Sequence, residues 1–252
     1  MTVSAMEVQG LTLSYDDTAV VEDVSFEIQP GRLVGIVGPN GAGKSTLIKA
    51  IVGAMKPDAG SILIAGKPAA EKLSSLTYVP QRGAVDWDFP ITAGEVVRQG
   101  RFQSVGLLRR FSTEDRDAVA KAMKSVAITD LADRQIGALS GGQQQRVFLA
   151  RALAQGGDVF VMDEPFAGVD AATETAIVDV LRALRDEGKT VLVVHHDLIT
   201  VRDYFDHLIL LNRRIIASGP TREVFTAENL RQTYGGQVAI FTDDGAEAIG
   251  AG

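Results

Sequence analysis

The chain has 252 residues, 46% hydrophobic and 23% charged, with a formal net charge of -7. That is a globular composition with room for a substantial core, and it lacks the basic surplus of a phosphate-backbone binder, so nucleic acid is a disfavoured partner. Cysteine is absent, which excludes disulfides, thiolate zinc sites and thiol catalysis.

The first residues, MTVSAMEVQG, carry no basic start followed by an apolar core, so no signal peptide is expected. No apolar run approaches the ~18 residues of a membrane span. From Val3 to Gln29 apolar and polar residues roughly alternate around Asp16-Asp17, which predicts an antiparallel hairpin. Pro30-Gly31 reads as a turn, Leu33 to Val37 as a buried strand and Lys44 to Met55 as a helix. KPDAG is a turn before the short strand SILIAG. Between Ile91 and Gln155 apolar residues recur at helical spacing, and Ser112-Thr113 followed by Glu114 and Asp115 reads as a helix start.

From Asp158 strands and helices alternate again. DVFVM is a strand, Thr173 to Glu187 a helix stopped by Gly188, TVLVV a strand, LIT to YF a short helix and HLILL a final strand. This pattern predicts an α/β fold with a mostly parallel sheet covered on both faces. We expect one domain over residues 1–235, with a helical subdomain at about 86–156, and a loosely ordered tail over 236–252.

GPNGAGKST, from Gly38 through Pro39, Asn40, Gly41, Ala42, Gly43, Lys44 and Ser45 to Thr46, fits G-x-x-x-x-G-K-[ST] between a strand and a helix. Glycines let backbone N–H groups converge on phosphate oxygens, and the helix N-terminus adds partial positive charge. Lys44 would reach the β/γ-phosphates and the Ser45 hydroxyl would ligate Mg²⁺. In DVFVMDEP, Asp163 closes an apolar strand, where a buried carboxylate is costly without a partner, and suits an outer-shell role for the same metal. Glu164 follows and is placed to polarise an attacking water.

LSGGQ, with Ser140, Gly141, Gly142 and Gln143, opens a second helix with the S-x-x-Q spacing of a capping box. Two glycines in a first turn cost about 1 kcal/mol each relative to Ala, which predicts that the bare helix end is used to hold an anion.

With these motifs the sequence resembles the nucleotide-binding subunit of an ATP-binding cassette (ABC) transporter, from about Tyr15 to Pro220. The resemblance implies a P-loop NTPase (RecA-like) core with an N-terminal antiparallel β subdomain and an inserted helical subdomain, binding ATP and Mg²⁺. It implies that Tyr15 stacks on adenine and that Gln81, in YVPQ, touches Mg²⁺ and the membrane partner. Asp170 becomes a loop aspartate at a dimer interface, and His196 a switch histidine on the γ-phosphate. His195 is read as structural, because adjacent strand residues face opposite ways and cannot converge on one ion.

The resemblance further implies two copies closing head to tail, each ATP lying between the P-loop of one and the LSGGQ of the other. Closure would drive integral membrane permease subunits at the cytoplasmic face and, indirectly, a solute-binding protein. Extended strings, among them YVPQRGAVDWDFPITAGEVVRQGR and FTAENLRQTYGG, are similar to manganese/zinc/iron importers. Importers of iron-siderophore, haem or cobalamin are the next reading. A soluble ABC ATPase acting on nucleic acid or ribosomes is a distant one, since the stretch from Thr46 to Leu139 has the length of one helical subdomain.

Overall fold

In the computed structural model, residues 3–105, 110–235, 240–242 and 245–247 are described. The chain divides into two compact units, Met1–Leu73 with Thr190–Gly252, and Ser74–Lys189.

The first unit opens with β1 (Met6–Tyr15) and β2 (Thr18–Ile28), paired antiparallel with Met6 opposite Ile28 and Val8 opposite Phe26. Asp16 and Asp17 join them with φ of 44° and 62°. Two successive left-handed residues give the loop a twist that matches the strands, and Asp tolerates that region. Met6, Val8, Leu11 and Leu13 are buried, the inner face that the alternation predicts. After β3 (Leu33–Val37) and α1 (Lys44–Ile51) come β4 (Ala59–Ile64), antiparallel to β1, and β5 (Lys67–Pro68), antiparallel to β4. The helix expected to reach Met55 ends at Ile51, where Gly53 turns left-handed at φ 77°.

The second unit holds β6 (Leu76–Val79), α2 (Ala93–Gln99), α3 (Phe102–Val105), α4 (Thr113–Ser125), α5 (Gly141–Gln155), β7 (Val159–Asp163) and α6 (Ala171–Asp186). Strands β6 and β7 are parallel, with Val79 beside Met162. Capping boxes start α2 at Thr92, α4 at Ser112 and α5 at Ser140. Helix α6 begins two residues earlier than expected, because Asp170 caps it by accepting the Thr173 N–H.

The chain returns to the first unit with β8 (Thr190–His195), α7 (Val201–Tyr204), β9 (His207–Asn212), β10 (Arg214–Pro220), α8 (Thr221–Val224) and α9 (Ala227–Tyr234). Here β3 lies between β8 and β9, parallel to both. All residues of β3 and β8 are buried, which explains their unbroken apolar runs. Strand β9 is not the final one: β10 folds back antiparallel on it through Arg213, at φ 61°. Residues 236–239, 243–244 and 248–252 of the expected loose tail lie outside the described residues. Its described parts are β11 (Ile240–Thr242) and β12 (Gly245–Glu247), paired antiparallel. Among the described residues no helix is long and apolar enough to cross a membrane.

His195 ends β8 at 2% exposure, its Nε2 2.8 Å from Thr200 Oγ1. Burial first, and the neighbouring His196 second, push its imidazole down to about 4. Burial also lowers His207. Between the ordinary value of 6.5 and about 4 the unfolded chain binds protons at His195 that the folded one does not. Stability is therefore full above the upper limit and falls as pH drops through this window. Chemical denaturation across it is expected to give a shallower pH slope for His195→Gln than for the wild type, with His207 and, at the lower end, the depressed carboxyls of Glu95, Asp115 and Asp170 supplying the remainder. An unchanged slope would refute the buried neutral imidazole.

Candidate nucleotide site

The loop between β3 and α1 is held by three glycines for three different reasons. A Cβ on Gly38 would lie 1.9 Å from the Leu211 carbonyl oxygen. Gly43 caps α1 at φ 92°, and a Cβ there would lie 2.6 Å from the Val20 carbonyl oxygen. Gly41, at φ 80°, faces open space and needs glycine for its backbone alone. Ala42 donates its N–H to Pro39 O at 3.2 Å and accepts from Arg213 N at 3.0 Å, pinning the loop to the β9–β10 turn. Lys44, 7% exposed, donates Nζ to Gly38 O at 2.7 Å and Pro39 O at 2.8 Å, so its ammonium lies inside the loop. Asn40 and Gly41 are exposed, while Ser45 and Thr46 are half-buried in the first turn. That turn contains no acidic residue, leaving its N–H groups and dipole available to an anion.

Two further predicted residues belong to this unit. Tyr15 ends β1 at 45% exposure, and Lys49 of α1 donates to its hydroxyl at 3.3 Å, with Nζ 5.8 Å from the ring centroid. His196 is exposed immediately after β8, while His195 is turned inward. The two rings sit 5.9 Å apart, and among the described residues no group of three or more His, Asp or Glu is placed to hold a metal ion.

In the second unit the parallel register of β6 and β7 sets their C-terminal ends side by side. Gln81 follows β6 and Glu164 follows β7, and Gln81 Nε2 donates to Glu164 Oε2 at 2.9 Å. Glu164 has φ of 50°, a left-handed backbone that non-glycine residues seldom adopt and that concentrates at functional positions. Asp163 is 4% exposed. Its charge adds to burial in raising the Tyr78 phenol.

Ser140 caps α5: its N–H donates to Gln143 Oε1 at 2.9 Å, and Gln143 N donates to Ser140 Oγ at 3.4 Å. Gly141 and Gly142 have ordinary negative φ but crowded surroundings. A Cβ on Gly141 would lie 3.1 Å from Arg82 Nη1, and one on Gly142 3.1 Å from Thr173 Oγ1. Asp170 accepts the Thr173 N–H at 2.9 Å and its hydroxyl at 3.1 Å. These bonds, the backbone one first, hold the Asp170 carboxyl below the usual carboxylate range.

The second unit thus joins Gln81 to Glu164 and, through Thr173, Asp170 to the signature glycines. The loop from Gly38 to Thr46, Tyr15 and His196 belong to the first. Sequence reading missed Arg82, Gln144 and Thr173. Asp-x-x-Thr ahead of an apolar periodic run was an available capping signal for the last. Arg82 and Gln144 carry no motif and meet only in the fold.

The loop's two kinds of glycine are separable. Gly38→Ala is expected to cost several kcal/mol, since rigid backbone occupies the space, whereas Gly41→Ala should cost about 1–2 kcal/mol for left-handed strain alone. Equal shifts in denaturation midpoint would contradict this.

A family profile described as ABC transporter matches residues 21–167. The manganese transport system ATP-binding protein MntB of Bacillus subtilis (strain 168) is 53% identical over 94% of this chain and 95% of its own length. The zinc transport system ATP-binding protein TroB of Treponema pallidum (strain Nichols) is 49% identical over 94% of this chain and 90% of its own. Among solved structures, an inward-facing metal-chelate type ABC transporter superposes with a TM-score of 0.81 at 27% identity, covering 92% of this chain and 88% of that one. An ATP-binding cassette in its ADP conformation gives 0.80 at 27% identity, covering 93% of this chain and all of that one. The profile, the near-full-length relatives and the shared cassette fold agree with the phosphate-loop geometry, and the chain belongs to the ABC transporter family as one of its ATPase cassettes.

Proposed function

We propose that this chain hydrolyses ATP to power a membrane importer for divalent metal ions, manganese or zinc foremost. The observation that carries the metal assignment is identity of about half, across nearly the whole length, to ATP-binding proteins named for manganese and zinc transport. The metal-chelate transporter among the structural neighbours favours a second reading, import of a chelate such as iron-siderophore, haem or cobalamin, but at lower identity.

In this reading residues 1–235 act as one nucleotide-binding domain at the cytoplasmic face of the membrane. The loop Gly38–Thr46 takes the phosphates, with Lys44 leaving its carbonyl partners for phosphate oxygens, and Tyr15 receives the adenine. Glu164 holds the water and draws off its proton as the γ-phosphorus is attacked; His196 contacts the γ-phosphate. Mg²⁺ fits the chemistry of the oxygen donors: a hydroxyl at Ser45, an amide at Gln81 and the buried carboxylate of Asp163. When bound, it neutralises phosphate charge. Ser140, Gly141, Gly142 and Gln143 of a second copy complete the phosphate contacts, with Asp170 at the contact between copies. A solute-binding protein delivers the metal outside.

The deciding experiment is whole-cell metal content in cells lacking this gene, rescued with wild type or Glu164→Gln. Selective loss of manganese or zinc, restored by wild type alone, is expected; unchanged metals under metal-limited growth would remove the metal assignment. Purified Glu164→Gln protein is expected to dimerise in ATP and Mg²⁺, and a persistent monomer would end the two-copy reading.

We place the contact with the membrane subunit at a groove of about 660 Å³ on the second unit. Its lining mixes Phe89, Phe102 and Phe111 with the charged Glu95, Arg98 and Arg116, and Phe89 is 58% and Phe102 56% exposed. Single domains seldom leave two such aromatics open beside one another without a partner. Phe89→Asp with Phe102→Asp is expected to abolish co-purification with the membrane subunit and metal uptake while ATP binding persists. Retained uptake would move the contact elsewhere.

A further inference from the structure

Arg82 follows Gln81 directly, yet its side chain is committed to the LSGGQ helix. Its Nε and Nη2 donate to Gln144 Oε1 at 3.2 and 3.0 Å. Gln144 lies in the first turns of α5, 4% exposed, and its own Nε2 donates to Ile136 O at 3.1 Å. That amide is therefore fixed from the other side, and Arg82 binds an oriented acceptor. The guanidinium lies over Gly141, where a Cβ would sit 3.1 Å from Nη1, and Nη1 is 3.7 Å from the Cβ position of Gly168 in the loop after Glu164.

The Arg82 backbone is held as well. Its carbonyl accepts the Trp87 indole N–H at 3.0 Å, and the Trp87 ring packs edge-on against Phe148 of α5 at 5.3 Å. One residue upstream, Gln81 donates to Glu164. Gln81 itself is exposed. Its direction is set by the backbone that Arg82 anchors.

We propose that Arg82 is a positioning residue for ATP hydrolysis: by bonding Gln144 it locks the segment carrying Gln81, and through Gln81 the Glu164 carboxylate, to the helix that begins at LSGGQ. The proposal rests on the ATPase reading above. An arginine that merely stabilised the fold would change the melting temperature and leave turnover per folded molecule intact. A positioning arginine changes kcat with little effect on the KM for ATP, because the loop Gly38–Thr46 that binds the nucleotide is untouched.

The test uses the full-length chain assembled with its membrane subunit. Wild type, Arg82→Ala, Gln144→Met and the double variant are compared for kcat, KM for ATP and melting temperature. Gln144→Met removes the acceptor but keeps side-chain length, so it tests the same contact should Arg82→Ala fold poorly. Each single variant is expected to lose about tenfold in kcat with KM within about twofold, and the double variant to be no worse than either, as for residues acting through one contact. Wild-type kcat in Gln144→Met, or additive losses in the double variant, would overturn the proposal. An inactive wild-type complex would instead sink the ATPase reading, and with it the proposal.

Discussion

The contact on which the first unit depends is the Lys44 ammonium lodged against the carbonyls of Gly38 and Pro39. A nearly buried cation is tolerable only when its donors are satisfied, and charge-assisted bonds to carbonyl oxygens do that at short range. The loop must curl tightly for both carbonyls to reach one nitrogen. That curl presses Gly38 against Leu211 and Gly43 against Val20, so the loop's shape is dictated by β9 on one side and β2 on the other. The apolar strands β3, β8 and β9 supply a rigid base, and the loop projects from the C-terminal end of β3, where parallel sheets place their ligands. On a chain of net charge -7, this leaves a local positive spot made from one ammonium and a helix end.

The second unit solves a different problem, keeping two adjacent carboxylates in different environments. Asp163 spends its side chain in the interior, so Glu164 is the acid that remains accessible. Its left-handed backbone costs about 1–3 kcal/mol, a strain that persists only when the surroundings over-determine it. Gln81 is part of that constraint, and it comes from a different strand than the residue it holds. The pairing of β6 with β7 is thus what brings the two side chains together: a register slip by one residue would point Gln81 away from Glu164.

Much of this was legible in the sequence where chemistry and local structure coincide. The strand–glycine loop–helix order, the capping box at Ser140 and the buried strands at Leu33 and Thr190 are short-range patterns, each satisfied by its own residues. The failures were long-range. Strand β10, RIIASGP, has no clean alternation and ends in Gly-Pro; only its pairing with β9 makes it a strand. Strand β6, LTYV, is four residues long, too short to carry a period. The start of α6 depends on Asp170 accepting the Thr173 N–H, a cap that sits ahead of the apolar periodicity. Arg82 and Gln144 are 62 residues apart, and nothing in either neighbourhood announces the other.

The glycines of LSGGQ have a cause that the sequence alone does not show. Their cost in a first turn suggested a helix end kept bare for an anion, whereas the fold gives each a neighbour, Arg82 for Gly141 and Thr173 for Gly142. Close packing and anion binding are not rivals here. Among the described residues, of the helices of eight residues or more, α4, α6 and α9 place an acid in the first turn, which quiets the positive end of the dipole. The two that do not are α1 and α5, the helices that follow the glycine-rich motifs. Each has a cation instead, Lys44 inside one and Arg82 against the other, and a cation at a helix N-terminus is unfavourable by a few tenths to about 1 kcal/mol. Both ends thus lack the acidic neighbour that α4, α6 and α9 carry, and this shared electrostatic feature, rather than glycine content alone, sets α1 and α5 apart.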